Sequence, residues 1–162
     1  MLYSTWFERR GLDRPLPLPS LALPFLSFHD SLQPCTILST DFLFQTQEYW
    51  DQRFEEEENY EWLLSFEKVE AYILPHLKTT DHILVIGCGN STLSNDLYDR
   101  GYCHIKNIDF SRNVIEKMSR LSRELGHAAS MRWIEMDMLD MAAFDDDSFD
   151  VVLDKATMDA IM

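Results

Sequence analysis

"ILVIGCGNSTLSNDLYDRG", residues 83–101, joins an apolar run, two glycines one residue apart and a segment with helical character. A short, continuous apolar run is typical of a strand that is buried on both faces. Gly87 and Gly89 follow it directly, and glycines there let the backbone turn sharply and let a ligand approach closely. A helix is predicted from about Ser91 or Thr92 to Arg100. The stretch therefore predicts a strand–turn–helix unit with a nucleotide-like cofactor on the turn.

Strands and helices alternate beyond this unit. The predicted strands are residues 82–87, 104–110, 131–137 and 148–155. Between the second and third of them, Val114, Ile115 and Met118 keep helical spacing, and Ser111 is placed to cap that helix. This β–α–β–α–β order predicts an α/β fold: a Rossmann-like, doubly wound parallel sheet, incomplete at about four strands.

Two regions precede the predicted sheet. Residues 1–45 contain five of the six prolines, which predicts an irregular or extended lead, or alternatively a polyproline segment that binds a partner. Residues 46–162 form one partial domain that begins with one or two N-terminal helices. Their apolar stripe is Trp62, Phe66, Val69 and Ile73, widened by Tyr72 and Leu77.

Charge and composition exclude several classes of protein. The chain has 28 acidic and 14 basic residues, and this net charge of -14 argues against a nucleic-acid partner. The same balance suits a basic protein partner, or serves solubility alone. No apolar run reaches membrane-spanning length. Three cysteines without a CxxC pair and scattered histidines predict no metal site and a reducing, cytoplasmic location.

The identity of the cofactor depends on the spacing around the turn. Asp109 ends the second predicted strand, and its distance along the chain from Gly89 suits an acid that accepts hydrogen bonds from ribose hydroxyls. A dinucleotide fingerprint would have a third glycine where this chain has Thr92, which argues against a nicotinamide-dependent oxidoreductase. S-adenosylmethionine carries no phosphate and fits the turn better.

Five segments extend this interpretation to a family. They are "YWDQRF" (49–54), "ILVIGCGNSTLS" (83–94), "NIDFS" (107–111), "MDM" (136–138) and "FDVVLDKATMDAI" (149–161). In this order they resemble the class I, seven-β-strand S-adenosylmethionine-dependent methyltransferases, and among these the methyltransferase-like enzymes that modify lysine in translation elongation factor 1A. The resemblance covers residues 46–162. It implies S-adenosylmethionine as cofactor, protein-lysine N-methylation as activity and elongation factor 1A as the basic partner.

The resemblance also implies roles for residues at the ends of the strands. Gly87 and Gly89 would lie under the methionine and ribose parts of the cofactor, Asp109 would hold the ribose hydroxyls, and Phe110 would pack on the adenine. Asp137 would accept a hydrogen bond from the adenine amino group; alternatively, it caps the end of its own strand.

Further cofactor contacts are implied before and after these strands. Met138 would lie beside the adenine ring, and Lys155 matches a family lysine, although Ala156 follows it where the family usually has glycine. Four residues before the sheet would close over the methionine end of the cofactor, with the arginine as a partner for its carboxylate: Trp50, Arg53, Phe54 and Trp62. The three aromatic residues are alternatively plain core.

Asp154 is the candidate catalytic residue. A lysine amine must lose its proton before methyl transfer, which costs roughly 4–5 kcal/mol at neutral pH because its free pKa is about 10.4. A nearby carboxylate and a dry channel offset part of this cost. Alternatively, Asp154 and Lys155 form a surface ion pair of little energetic value.

The chain ends at Met162, where the family fold would need about three more strands. We therefore expect a C-terminally truncated domain with one bare sheet edge, which would favour self-association or a covering partner chain. Two other functions stay open: an interaction module without enzymatic activity, and a methyltransferase for small molecules, whose closed pocket would need the missing strands for most of its wall.

Overall fold

The computed structural model describes residues 5–10, 16–17, 46–57, 61 and 64–161. The strands within these ranges are β1 (Thr5–Arg9), β2 (Leu16–Pro17), β3 (Ile83–Ile86), β4 (Ile105–Asp109), β5 (Arg132–Glu135) and β6 (Val151–Lys155). The α-helices within them are α1 (Gln47–Glu56), α2 (Phe66–Ile73), α3 (Leu93–Asp99), α4 (Arg112–Glu124) and α5 (Thr157–Ile161). A short 3₁₀ turn, Leu74–His76, follows α2.

The strands form one sheet in the order β2-β1-β6-β3-β4-β5. β3 lies between β4 and β6, and all three run parallel, as does β5 on the far side of β4. The four predicted strands therefore form the parallel, Rossmann-like sheet that the alternation predicted. Their carboxyl ends lie at one edge of the sheet, which is where folds of this kind bind ligands.

Both faces of the sheet are covered, as the apolar run of β3 predicted. Ile83 and Val85 pack into one core cluster with residues of α1, α2, α3 and α4, such as Leu97 and Met118. Leu84 and Ile86 face the other side, where Ile108 and the loop between β5 and β6 cover them. All four residues of β3 are buried, so this strand is the centre of the fold.

Two predictions about the helices, the cap of α4 and the apolar stripe of α2, can be compared with the structure. The hydroxyl of Ser111 accepts a hydrogen bond from the backbone N–H of Val114, which confirms the predicted cap of α4. On α2, Phe66, Val69 and Ile73 are buried as predicted. The prediction that Tyr72 widens this stripe is wrong, because half of its surface is exposed on the outer side of the helix.

The expected bare edge of the sheet is wrong, because β1 covers it. Thr5–Arg9 pair antiparallel with β6 along its whole length, from Thr5 opposite Lys155 to Arg9 opposite Val151. The backbone N–H of Arg10 extends this pairing to the carbonyl oxygen of Asp150 at 2.9 Å. The prolines that predicted an irregular lead begin only at Pro15, after β1, whose Thr, Trp and Phe are typical strand residues. Self-association through this edge is therefore not supported.

None of the helices in the described ranges has both the length and the apolar character needed to cross a membrane.

Candidate functional site

The two glycines of the turn after β3 both have left-handed backbone conformations, with φ +53° at Gly87 and +50° at Gly89. A Cβ on Gly87 would lie 2.1 Å from Oγ1 of Thr157, whose hydroxyl donates a hydrogen bond to the Gly87 carbonyl at 3.1 Å. Gly87 thus lets α5 approach the turn. A Cβ on Gly89 would lie 3.4 Å from the Phe54 ring, so this glycine faces α1.

Asp109 lies at the end of β4 and is connected directly to the turn. One carboxylate oxygen accepts the backbone N–H of Gly89 at 2.9 Å, and the other accepts that of Ser111 at 2.9 Å. Burial raises the pKa of Asp109 to about 6, although the two N–H donors oppose this shift. Since a carboxylate oxygen can accept two hydrogen bonds, each oxygen retains capacity for a hydroxyl donor.

A second buried acceptor lies beside Gly89. Asn90 is completely buried, its amide nitrogen donates to the Glu57 carbonyl at 3.4 Å, and its side-chain oxygen has no hydrogen-bond partner among the described residues. A buried acceptor without a donor costs about 1–3 kcal/mol. The turn therefore combines a carboxylate and an amide oxygen that suit a ligand with hydroxyl or ammonium donors.

The residues predicted to contact an adenine lie on two neighbouring strand ends. Phe110 is half-buried, and its carbonyl accepts a hydrogen bond from the Gln47 side chain at 2.9 Å. The backbone N–H of Met136 donates to the Asp109 carbonyl at 2.9 Å, which brings the segment after β5 beside β4. Met138 packs against the cluster of Leu84, Ile86 and Ile108.

Asp137 is exposed and forms its own turn. Its carboxylate accepts the backbone N–H of Leu139 at 2.8 Å, and its carbonyl accepts that of Asp140 at 3.0 Å. This turn is the strand-end cap that the sequence predicts as the alternative to adenine binding.

The aromatic residues of α1 lie against the turn. Trp50 and Phe54 stack with ring centroids 5.5 Å apart, and Phe54 is buried against Gly89. The Arg53 guanidinium forms a 3.0 Å ion pair with Glu57 and donates to the Tyr49 hydroxyl at 2.8 Å. Arg53 is therefore occupied by protein partners here. Trp62 lies outside the described residues.

Lys155 forms a buried network that sequence reasoning missed. Its ammonium group donates to the Glu61 carboxylate and, at 2.8 Å, to the hydroxyl of Ser91. The Glu61 carboxylate also accepts a hydrogen bond from the backbone N–H of Thr92, the N-cap residue of α3, at 2.6 Å. Burial lowers the pKa of Lys155, although the negative charge of Glu61 opposes this shift. The alternative prediction of a surface ion pair between Asp154 and Lys155 is wrong, because both side chains are buried.

The sequence offered only an indirect signal for Glu61. A lysine in a strand that is otherwise apolar needs a counter-ion, since an unpaired buried charge is very unfavourable. Spacing along the chain does not identify which of many acidic residues supplies that charge.

Asp154 caps the start of α5. Its two carboxylate oxygens accept the backbone N–H groups of Thr157 at 2.9 Å and Met158 at 3.4 Å. Burial raises the pKa of Asp154 to about 6 against these hydrogen bonds. The turn between β6 and α5 has φ +74° at Ala156, so the tight turn forms although alanine replaces the usual glycine.

Comparisons with known proteins agree with this architecture. The profile of a family described as a methyltransferase domain matches residues 77–162. EEF1A lysine methyltransferase 4 from Mus musculus is 36% identical over 134 residues, which cover 81% of this chain and 51% of that protein. The eEF1A lysine and N-terminal methyltransferase from Homo sapiens is 39% identical over 121 residues, 74% of this chain and 17% of that protein.

The chain thus spans about half the length of the first relative and a smaller part of the second. The family match covers more than half of this chain and includes β3, β4, β5 and β6 with the turn between Gly87 and Gly89. This chain therefore belongs to the methyltransferase domain family.

Proposed function

We propose that this chain binds S-adenosylmethionine at the carboxyl ends of its parallel strands and transfers the methyl group to lysine in a basic protein, with elongation factor 1A as substrate. The observation that carries the cofactor proposal is the buried carboxylate of Asp109, held 2.9 Å from the backbone N–H of Gly89. The names of the relatives support the substrate, and the net charge of -14 supports a basic partner. The cytoplasmic location remains part of this proposal.

The residues at the turn fit the cofactor chemically. Asp109 would hold the ribose hydroxyls, and Phe54 with Trp50 would cover the site from α1. The side-chain oxygen of Asn90, which has no partner in the part of the chain that the structure describes, would accept from a hydroxyl or ammonium group. Phe110, Asp137 and Met138 remain the proposed contacts of the adenine. The cofactor, when bound, supplies a methyl group already activated by its positive sulfur.

The chain must then orient a lysine amine and help it lose a proton. Holding the amine in line with the methyl–sulfur bond is catalysis by proximity and orientation. Asp154 is the proposed partner of that amine. Its pKa of about 6 leaves it mainly ionised at neutral pH, and two backbone N–H groups fix its carboxylate.

Calorimetric titration tests the cofactor site. Asp109→Ala removes an acceptor for two hydroxyls and should weaken S-adenosylmethionine binding by about 1.5–3 kcal/mol, the scale of charge-assisted hydrogen bonds. Asp146→Ala is the matched control, because Asp146 is exposed in the loop before β6. Equal affinity of the two variants would contradict the role of Asp109. Absence of binding to the wild-type chain at millimolar cofactor would favour an interaction module.

Methyl transfer from labelled cofactor tests the substrate. Purified elongation factor 1A should acquire label with the wild-type chain and with Asp146→Ala, but not with Asp109→Ala. EEF1A lysine methyltransferase 4 serves as the positive control. Label only in the small-molecule fraction of a cell extract would replace the protein substrate with a metabolite and leave the cofactor site unchanged.

A further inference from the structure

We propose that Glu61 and Lys155 form a clasp that holds the segment before the sheet, residues 46–57 with Glu61, over the glycine turn. On the proposed function, this clasp sets how long the cofactor stays bound. Glu61 is a positioning residue in this proposal, because it acts through the segment that it holds.

The segment before the sheet is attached on two sides of the turn. On the β4 side, α1 lies against α4: the Lys117 ammonium donates to the carbonyl oxygens of Phe54, at 3.4 Å, and Glu57. The Asn113 amide also donates to the Glu55 carboxylate at 3.1 Å. On the β6 side, Glu61 binds Lys155 and the hydroxyl of Ser91.

The turn lies between these two attachments. The Phe54 ring lies against Gly89, and the backbone N–H of Gly89 donates a hydrogen bond to the Asp109 carboxylate. A ligand held by Asp109 at the strand ends would therefore lie under a segment that is tied to α4 on one side and to β6 on the other. Release of the ligand would require one attachment to open, and the β6 attachment depends mainly on one acidic side chain.

The ion pair between Glu61 and Lys155 can separate in one step. The Lys155 side chain is 7% exposed and the Glu61 side chain 24%, so the pair lies at the border of the solvent. Opening exposes both charges to water together, whereas loss of either side chain leaves the other charge without its counter-ion. The two residues should therefore show strongly non-additive effects in a double-mutant cycle.

Hydrogen exchange of the chain without cofactor tests the clasp independently of the proposed function. In Glu61→Gln and in Lys155→Met, amides of residues 47–57 should exchange about fivefold faster, and the double variant should exchange no faster than either single variant. Glu67→Gln, an equal change of charge at an exposed position on α2, should leave exchange unchanged. Protection of the amides of Val114–Met118 in α4 reports whether each variant is folded.

Cofactor dissociation, followed by the tryptophan fluorescence of the chain after rapid dilution, tests how long the cofactor stays bound. The dissociation rate of S-adenosylmethionine should rise about tenfold in Glu61→Gln, while the association rate changes less than about threefold. Ser91→Ala is the milder variant for use if Glu61→Gln loses protection in α4. This substitution removes one hydroxyl from the network. It should raise the amide exchange rate of residues 47–57 and the dissociation rate of S-adenosylmethionine by about threefold each.

The two measurements separate the proposals. Unchanged exchange of residues 47–57 in a folded Glu61 or Ser91 variant would overturn the clasp, whatever the cofactor does. Faster exchange with an unchanged dissociation rate would overturn its control of residence. A wild-type chain that binds no S-adenosylmethionine would overturn the proposed function and the residence claim, while the exchange result would still decide whether the clasp exists.

Discussion

Ala156 lies in the turn between β6 and α5 with φ +74°. This left-handed conformation costs a residue with a Cβ about 1–2 kcal/mol, whereas glycine adopts it freely. We predict that Ala156→Gly raises the free energy of unfolding by about 0.5–1 kcal/mol, because part of the relief is lost to the greater freedom of glycine in the unfolded chain. Urea denaturation measures the change.

Ala142→Gly is the control for this substitution. Ala142 is exposed and has no positive φ, so the glycine there gains no conformational relief and should be neutral or slightly destabilising. A lower unfolding free energy for Ala156→Gly than for the wild type would contradict the assigned backbone conformation.

Gly87 and Gly126 separate backbone strain from steric contact. Both have positive φ, but a Cβ on Gly87 would overlap the Thr157 side chain, whereas a Cβ on Gly126 would meet no atom of the described residues within 4 Å. Gly126→Ala should therefore cost about 1–2 kcal/mol of stability. Gly87→Ala should cost about 1–3 kcal/mol more, since α5 must move. Thermal denaturation of both variants measures the difference, and equal losses would refute the contact with Thr157.

Asp109 should make the stability of the chain depend on pH. Burial raises its pKa to about 6 from the ordinary value of 3.8, so between these values the folded chain binds more protons than the unfolded chain. The contribution of Asp109 to the free energy of unfolding therefore falls as pH rises from about 4 to 6 and levels off above 6. The contribution of Asp109 is about 2–3 kcal/mol.

Urea denaturation of Asp109→Asn at pH 4, 5, 6 and 7 isolates this contribution, because the amide does not titrate. The fall in stability between about pH 4 and 6 should be smaller in Asp109→Asn than in the wild type, and unchanged in the exposed control Asp146→Asn. Parallel curves for the wild type and Asp109→Asn would show that this carboxyl group keeps its ordinary pKa.

Among the elements, β1 has a role that follows from its position beside β6, between β6 and the two-residue strand β2. It pairs with all five residues of β6, an apolar parallel strand that would otherwise present unpaired backbone groups. Uncovered edges of this kind pair with other chains. Deletion of residues 1–10 should therefore cause self-association, whereas the intact chain should sediment as a monomer.

Arg10→Ala is the control for the deletion. It removes the contacts of Arg10 with Asp147 and Asp150 and leaves the pairing of β1 with β6 in place. Sedimentation velocity should show this variant as a monomer. A monomeric deletion variant, or a self-associating wild-type chain, would contradict the covering role of β1.

The elements also show what the sequence can predict. The periodicity of β3, β4, β5 and β6 and the cap at Ser111 are local signals, and all are present in the fold. The pairing of β1 with β6 joins residues at opposite ends of the chain, so local patterns could not indicate it. The prolines after β1 predict an irregular lead, and most of residues 1–45 lie outside the described residues.

The same distinction applies to the site. The contact between Gly89 and Asp109 follows from the rule that neighbouring parallel strands end at one edge, and the structure places the two residues together. Glu61 belongs to no repeating pattern, and its approach to Lys155 depends on how the segment before the sheet crosses the turn. The sequence therefore predicts that a buried charge has a counter-ion, but only the tertiary structure shows which residue supplies it.

At the scale of the whole molecule, the net charge of -14 is a property that no single element contains. The electrostatic field of a charged protein accelerates the encounter with an oppositely charged partner. Salt screens this field over a Debye length of about 10 Å at 0.1 M. If the substrate is a basic protein as proposed, the association rate with elongation factor 1A should fall about tenfold as sodium chloride rises from about 0.05 to 0.3 M.

Charge variants distinguish this steering from a charge that serves solubility alone. The double substitution Asp145→Asn and Asp146→Asn removes two negative charges from an exposed loop that is remote in sequence from Gly89 and Asp109. It should lower the association rate at low salt and flatten its dependence on salt, while the affinity for S-adenosylmethionine stays unchanged. Stopped-flow fluorescence measures the association rates of the wild type and of the double variant. An association rate that is independent of salt in the wild type would show that the acidic surface does not guide the partner.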